Sequence, residues 1–203
     1  KLPPELDTAM FCCTGSEANE LALRIARSAT GRKGIIVADY AYHGNTHAIY
    51  EITTSDIPAE DIPGYDDTVP EPDTYRGHYR GDDAAAKYAG HVHDAIALLQ
   101  SRGFEPAAFV IDTIISSCGV VEQPPGYLAE VAAIVREAGA LFIADEVQPG
   151  FGRTGRNFWG FEADGLVPDI VTTGKPMGNG HPVSAVVVRR ELVEDFGQNG
   201  DYF

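Results

Sequence analysis

The chain has 203 residues and is 44% hydrophobic, enough to build one substantial core. Its formal charge of −15 argues against nucleic acid or an anionic membrane as partner, since both demand basic surfaces. Three cysteines, Cys12, Cys13 and Cys118, lack the spacing of a disulfide scaffold or zinc site, and no apolar run approaches the roughly 18 residues of a membrane span, so a reducing, cytoplasmic setting fits.

In chain order, the apolar stretch Ala9 to Cys13 leads into Thr14-Gly15-Ser16-Glu17, and a helix is expected from Glu17 to Ser28, stopped by Thr30-Gly31-Arg32. Gly34 to Ala38 reads as a short strand delivering Asp39 to His43 into a loop. His43 and His47, four apart, could share a helical face as metal ligands, but no third ligand accompanies them and no metal site is read. Thr53 to Asp83 is rich in proline, aspartate and glycine and reads as a long irregular excursion. A helix follows from Ala84 to Arg102, with Val92, Ile96 and Leu99 on its apolar face. Ala107 to Ile111 is a buried strand ended by Asp112, and Thr113 to Pro125 is a loop holding Ser116-Ser117-Cys118-Gly119. Another helix, Gly126 to Gly139, precedes a strand that starts at Leu141 and ends on Asp145. Phe158-Trp159-Gly160-Phe161 packs core or walls a channel. Asp169 to Thr173 and Val183 to Val188 are the last strands, and Arg190 to Phe196 begins a helix. Strands alternating with helices predict an α/β three-layer sandwich, a mostly parallel sheet with helices on both faces.

Three stretches carry chemistry. Lys175 follows a strand and sits among three glycines and two prolines in Asp169 to Pro182, so it lies in a tight loop. It is either a solvated lysine or an amine held still enough to attack a carbonyl and form a Schiff base. Asp145 ends a buried strand, where open α/β sheets bind ligands. Its partner is a backbone cap, an arginine, or the protonated ring nitrogen of a cofactor. Gly15 and Ser16 stand at a helix start, where free N–H groups favour an anion such as phosphate, although Thr14 or Ser16 with a nearby glutamate also makes an ordinary cap. A phosphate cradle, a strand-end carboxylate and a loop lysine together describe a site for pyridoxal phosphate.

At these residues the chain resembles the class III aminotransferases of fold type I. The matching segments are Gly15-Ser16-Glu17-Ala18-Asn19, Tyr42-His43-Gly44, Asp145-Glu146-Val147-Gln148, Gly152-Arg153-Thr154-Gly155 and Gly174-Lys175. The resemblance implies that Lys175 and Asp145 are the catalytic residues, the first holding pyridoxal phosphate and moving the substrate proton, the second keeping the ring nitrogen protonated. It further implies that Tyr42 and Val147 cover the two ring faces, that Gln148 meets the ring hydroxyl, that Gly15 and Ser16 hold the phosphate, and that His43 belongs to the cofactor site. It implies a homodimer acting on an amino donor and a keto acid acceptor. The family's members are about twice this long, so residues 1–203 are expected to be a single large domain without the N-terminal segment and C-terminal small domain. A phosphate-binding threonine of the neighbouring subunit and a carboxylate-binding arginine would lie beyond Phe203.

Two segments, Pro72-Asp73-Thr74-Tyr75-Arg76-Gly77 and Pro176 to Pro182, resemble the alanine-glyoxylate aminotransferase 2-like subgroup, which includes ethanolamine-phosphate phospho-lyases. Transamination is therefore the leading expectation and elimination of phosphate and ammonia from a phosphorylated amine the alternative. Arg76 and Arg80 either receive an anionic substrate or neutralise neighbouring aspartates. Ser117 stands where 4-aminobutyrate-type enzymes place a glutamate, which argues against that specificity, and Pro149 replaces the commoner threonine. A third reading, a non-catalytic cofactor-binding or dimerisation fragment, would be marked by loss of Lys175 or Asp145, and both are present.

Overall fold

Along β4, Pro106–Asp112, successive side chains serve opposite faces: Phe109 and Ile111 enter one buried apolar layer, Ala108 and Val110 the other. All seven residues are buried, so the strand lies between two layers of helix. The computed structural model describes residues 1–58 and 61–198, and in it β4 belongs to a seven-stranded sheet. Its other strands are β1 (Thr8–Cys12), β2 (Gly34–Ala38), β3 (Asp67–Val69), β5 (Leu141–Asp145), β6 (Ile170–Thr173) and β7 (Ser184–Val188), in the order β1-β7-β6-β5-β4-β2-β3. Strands β3, β2, β4, β5 and β6 run parallel; β7 is antiparallel to both β6 and β1. Being antiparallel to an antiparallel strand, β1 points the same way as β6, so the ends of β1, β2, β4, β5 and β6 open on one sheet edge.

Helices α3 (Ala84–Ser101) and α4 (Tyr127–Glu137) cover one face, where Tyr88, Tyr127, Phe109 and Phe142 are fully buried. Helix α1 (Gly15–Thr30) covers the other face with α5 (Glu191–Gln198) beside it. The one-turn α2 (His47–Tyr50) packs near α1. Ala18, Leu21, Ala22, Ile25 and Ala26 recur at helical spacing and form the buried stripe of α1.

The architecture is the α/β sandwich expected from the alternation, with differences at element ends. Helix α1 begins at Gly15 rather than Glu17 because Thr14 caps it: Thr14 Oγ1 accepts from the Glu17 amide at 3.2 Å, while Glu17 Oε2 accepts from the Thr14 amide at 2.8 Å. Gly31 closes it in the left-handed region at φ 66°, its N–H on the Arg27 carbonyl. The irregular excursion Thr53 to Asp83, outside which description only 59–60 fall, contains β3, whose three residues are too few to show a period. That strand pairs with β2 at the sheet edge.

The cap sets where α1 starts. Thr14→Ala is expected to lower stability by about 1 kcal/mol, read as a shift in the urea midpoint without a change in slope.

Candidate functional site

The last residues of β4 and β5, Asp112 and Asp145, line one cleft of about 170 Å³. All eight residues singled out from the sequence line it: Gly15, Ser16, Tyr42, His43, Asp145, Val147, Gln148 and Lys175. Asn19, Gly44, Asp112, Ser116 and Ser117 complete the wall. Gly15 opens α1 just after β1, Tyr42 comes from the loop after β2, Ser116 from that after β4, Gln148 from that after β5 and Lys175 from that after β6.

Asp145 is nearly fully buried, and its charge is met by donors rather than by an arginine. Asn19 Nδ2 donates to Oδ2 at 2.8 Å, His43 Nδ1 lies 2.8 Å from the same oxygen, and the Val147 amide donates to Oδ1 at 3.0 Å. Asn19 also donates to the His43 carbonyl at 2.7 Å and accepts from Thr172 Oγ1 at 2.6 Å. One amide on α1 thus joins the ends of β5 and β6 and the loop after β2. Sequence reasoning gave Asn19 no role, although a polar residue on the apolar stripe of α1 was a visible signal. His43 Nε2 is buried with no hydrogen-bond partner, the one open valence of this network.

Lys175 Nζ donates to Gln148 Oε1 at 2.7 Å, and Gln148 Nε2 donates to Ser116 Oγ at 2.8 Å. Ser116 Oγ in turn donates to Asp112 Oδ2, which also accepts the Ser116 amide at 2.9 Å. Asp112 is paired in register with Asp145. Burial and then the nearby Asp145 charge raise the Asp112 carboxyl above its ordinary value, against the hydrogen bonds from Ser116 and Ile114. The Lys175 backbone has φ 38°, the left-handed region that a side chain rarely adopts, and it opens the short 3₁₀ turn Lys175–Gly178.

Close approach shapes the opposite wall. A Cβ on Gly44, whose φ is 138°, would lie 2.5 Å from Ser16 Oγ, and one on Gly15 would lie 2.9 Å from Val147 Cγ1. The loop after β2 therefore lies directly against the start of α1, joined also by the Asn45 amide donating to Ser16 Oγ at 3.1 Å.

Other residues weighed in the sequence lie elsewhere. His47 is exposed and 3.8 Å from Glu51, while His43 is buried on Asp145, so the two do not share a site. Arg76 pairs with Asp73 at 3.7 Å, and Arg80 donates to the carbonyls of Gly77 and Arg76, so neither lines the cleft. Phe158 and Trp159 pack on Phe151, Phe161 stacks on Trp159, and the group lies against the core, outside the cleft lining.

Glu146 points away from Asp145, as strand parity requires. It is fully buried and accepts from Thr113 Oγ1 at 2.7 Å, the Gly160 amide at 2.9 Å and the Phe161 amide at 3.0 Å. It ties the aromatic segment to the strand end. Burial pushes its carboxyl up to about 7 against those donors.

With this geometry in place, comparison with known proteins is direct. The family model described as aminotransferase class-III matches residues 1–203. A Drosophila melanogaster alanine–glyoxylate aminotransferase 2-like protein is 40% identical over 98% of this chain and 42% of its own length. The Caenorhabditis elegans ethanolamine-phosphate phospho-lyase homolog 1 is 41% identical over 98% of this chain and 46% of its own. Among solved structures, a phospholyase from Arthrobacter in complex with phosphoethanolamine superposes with a TM-score of 0.92 at 42% identity, covering 100% of this chain and 48% of that one. The chain spans less than half the length of the curated relatives it matches.

Glu146 generates a pH prediction. A carboxyl raised from its ordinary 4.5 to about 7 binds a proton more readily in the folded state, so its contribution to stability is fully present at low pH and is lost as pH rises through 7. The stability of the parent relative to Glu146→Gln is expected to fall between about pH 5 and about pH 8 by on the order of 1 to 3 kcal/mol. Urea unfolding at both pH values measures it, and a constant difference would show that Glu146 does not titrate there.

Proposed function

Because this chain belongs to the class-III aminotransferases, which use pyridoxal phosphate, we propose that its cleft binds that cofactor and moves an amino group between an amine or amino acid and a keto acid. The observation that carries the reading is that a lysine amine and a buried strand-end carboxylate line one cleft, with Gln148 bonded to the lysine.

The residues suit the group in chemistry as well as position. Asp145, met by Asn19, His43 and the Val147 amide, offers the carboxylate that a pyridinium nitrogen requires beside it. The first turn of α1 at Gly15 and Ser16 presents unbonded amides and the positive end of a helix to a phosphate. Val147 and Tyr42 offer flat apolar walls, and Gln148 offers polar atoms between Lys175 and Ser116. When bound, pyridoxal phosphate supplies an electron sink for charge developing on the carbon that bears the substrate nitrogen. Lys175 is the amine that would hold the cofactor and that would take and return the proton of that carbon. Its donated hydrogen bond to Gln148 holds Nζ at the mouth of the cleft.

A specific observation favours a second reading, elimination of phosphate and ammonia from a phosphorylated amine. The likeness to the Arthrobacter phospholyase runs along the whole chain, and the cleft wall carries Ser117, a hydroxyl that would accept an anionic group where a glutamate would repel it. Inorganic phosphate released from phosphoethanolamine would select this reading; amino transfer to a keto acid without phosphate release would exclude it.

A homodimer is supported by large side chains left exposed, Phe11, Tyr40 and Val120 among them. A reducing, cytoplasmic setting is supported by three free cysteines. No helix among the described residues is long and apolar enough to cross a membrane.

Titration with pyridoxal phosphate is expected to give the parent a visible absorbance band that Lys175→Ala lacks. Retention of the band by the variant would mean that another amine carries the cofactor.

A further inference from the structure

The cleft holds a chain of hydrogen bonds whose direction is set at both ends. At one end both Asp112 oxygens accept: the Ile114 amide donates to Oδ1 at 3.1 Å and the Ser116 amide to Oδ2 at 2.9 Å. Ser116 Oγ therefore spends its single proton on Asp112 Oδ2 and faces Gln148 with a lone pair. That requires the Gln148 NH₂ to point at Ser116, which it does at 2.8 Å, and leaves Gln148 Oε1 to face Lys175 at 2.7 Å. At the other end Lys175 has protons to give and, when charged, none to receive. Reversing any link would leave two donors or two acceptors face to face. Asp112 ends β4 and Ser116 lies in the turn after it, 32 residues before Gln148.

We propose that Ser116, anchored by Asp112, is a positioning residue that fixes the side-chain amide of Gln148 with its oxygen toward Lys175 and so restrains the Lys175 amine. The proposal deepens the reading of Lys175 as the reactive amine. Without the Ser116 hydroxyl the Gln148 amide is free to turn, presenting its NH₂ to the lysine. A donor facing a donor cannot hydrogen-bond, which releases the restrained nitrogen, so the amine becomes more reactive. Loss of the Asp112 charge weakens the polarised chain while leaving an oxygen able to accept from Ser116.

The test is amine acetylation of the folded chain by acetic anhydride near neutral pH, with no pyridoxal phosphate added, read by mass spectrometry at each lysine. The chain has only four lysines, Lys1, Lys33, Lys87 and Lys175, so Lys33 and Lys87 serve as internal references. Ser116→Ala is expected to raise Lys175 labelling about threefold or more relative to those references. Ser116→Thr, which keeps the hydroxyl, should stay near the parent, and Asp112→Asn should give a smaller rise in the same direction. The proposal is overturned if Ser116→Ala leaves Lys175 unchanged, if Lys33 and Lys87 rise equally, or if Ser116→Thr behaves as alanine does. Because no cofactor is present, the outcome is independent of whether the cleft binds pyridoxal phosphate, which the absorbance titration decides.

Discussion

Burial of the Asp145 carboxylate is the constraint around which this edge of the sheet is arranged. An ionised carboxylate removed from water is costly unless donors surround it. Among the contacts of the described residues they do not come from an arginine. They come from three separate places in the chain: an amide on α1, an imidazole in the loop after β2, and the backbone just beyond β5. Each donor fixes the segment it belongs to, so satisfying one charge also docks the helix start, the tyrosine-bearing loop and the strand end that form the cleft. The anion is therefore both a structural clamp and the group that a cationic ring would seek.

Strand parity separates this function from structural support. Asp145 and Glu146 are consecutive carboxyls with separate sets of partners. The first looks into the cleft; the second ties Thr113 and the amides of Gly160 and Phe161 behind it. Two adjacent buried carboxylates are tolerable because each has its own set of donors and the pleat directs them apart. The same pleat places Asp112 beside Asp145, and there the proximity is felt, since the Asp112 carboxyl is raised partly by its neighbour's charge.

Much of this was legible in the sequence because it is local. Apolar runs of strand length, the helical stripe of α1, and a lysine stranded among glycines and prolines each declare themselves within a dozen residues. Asp145 was visible as a charge at the end of an apolar run. What the sequence left hidden is pairing at long range. Asn19 and Asp145 are 126 positions apart, and only folding shows that a polar residue on an apolar helix face meets a strand-end charge. Ser116 in a loop of small polar residues has nothing to distinguish it from Ser117, yet one hydroxyl completes a chain to Lys175 while the other accepts from the Tyr42 amide at 3.2 Å and faces the cleft. Strand β3 was missed for a different reason: at three residues on a sheet edge its pairing with β2, rather than its own pattern, makes it a strand.

The left-handed backbone at Lys175 sets the folding cost of that position against its chemistry. Conformations of this kind cost a non-glycine residue on the order of 1 kcal/mol or more, and glycine escapes that penalty. The residue best suited to the backbone here is thus one without an amine. Under the proposed reading, that strain is what the fold concedes to set a reactive nitrogen at the end of β6.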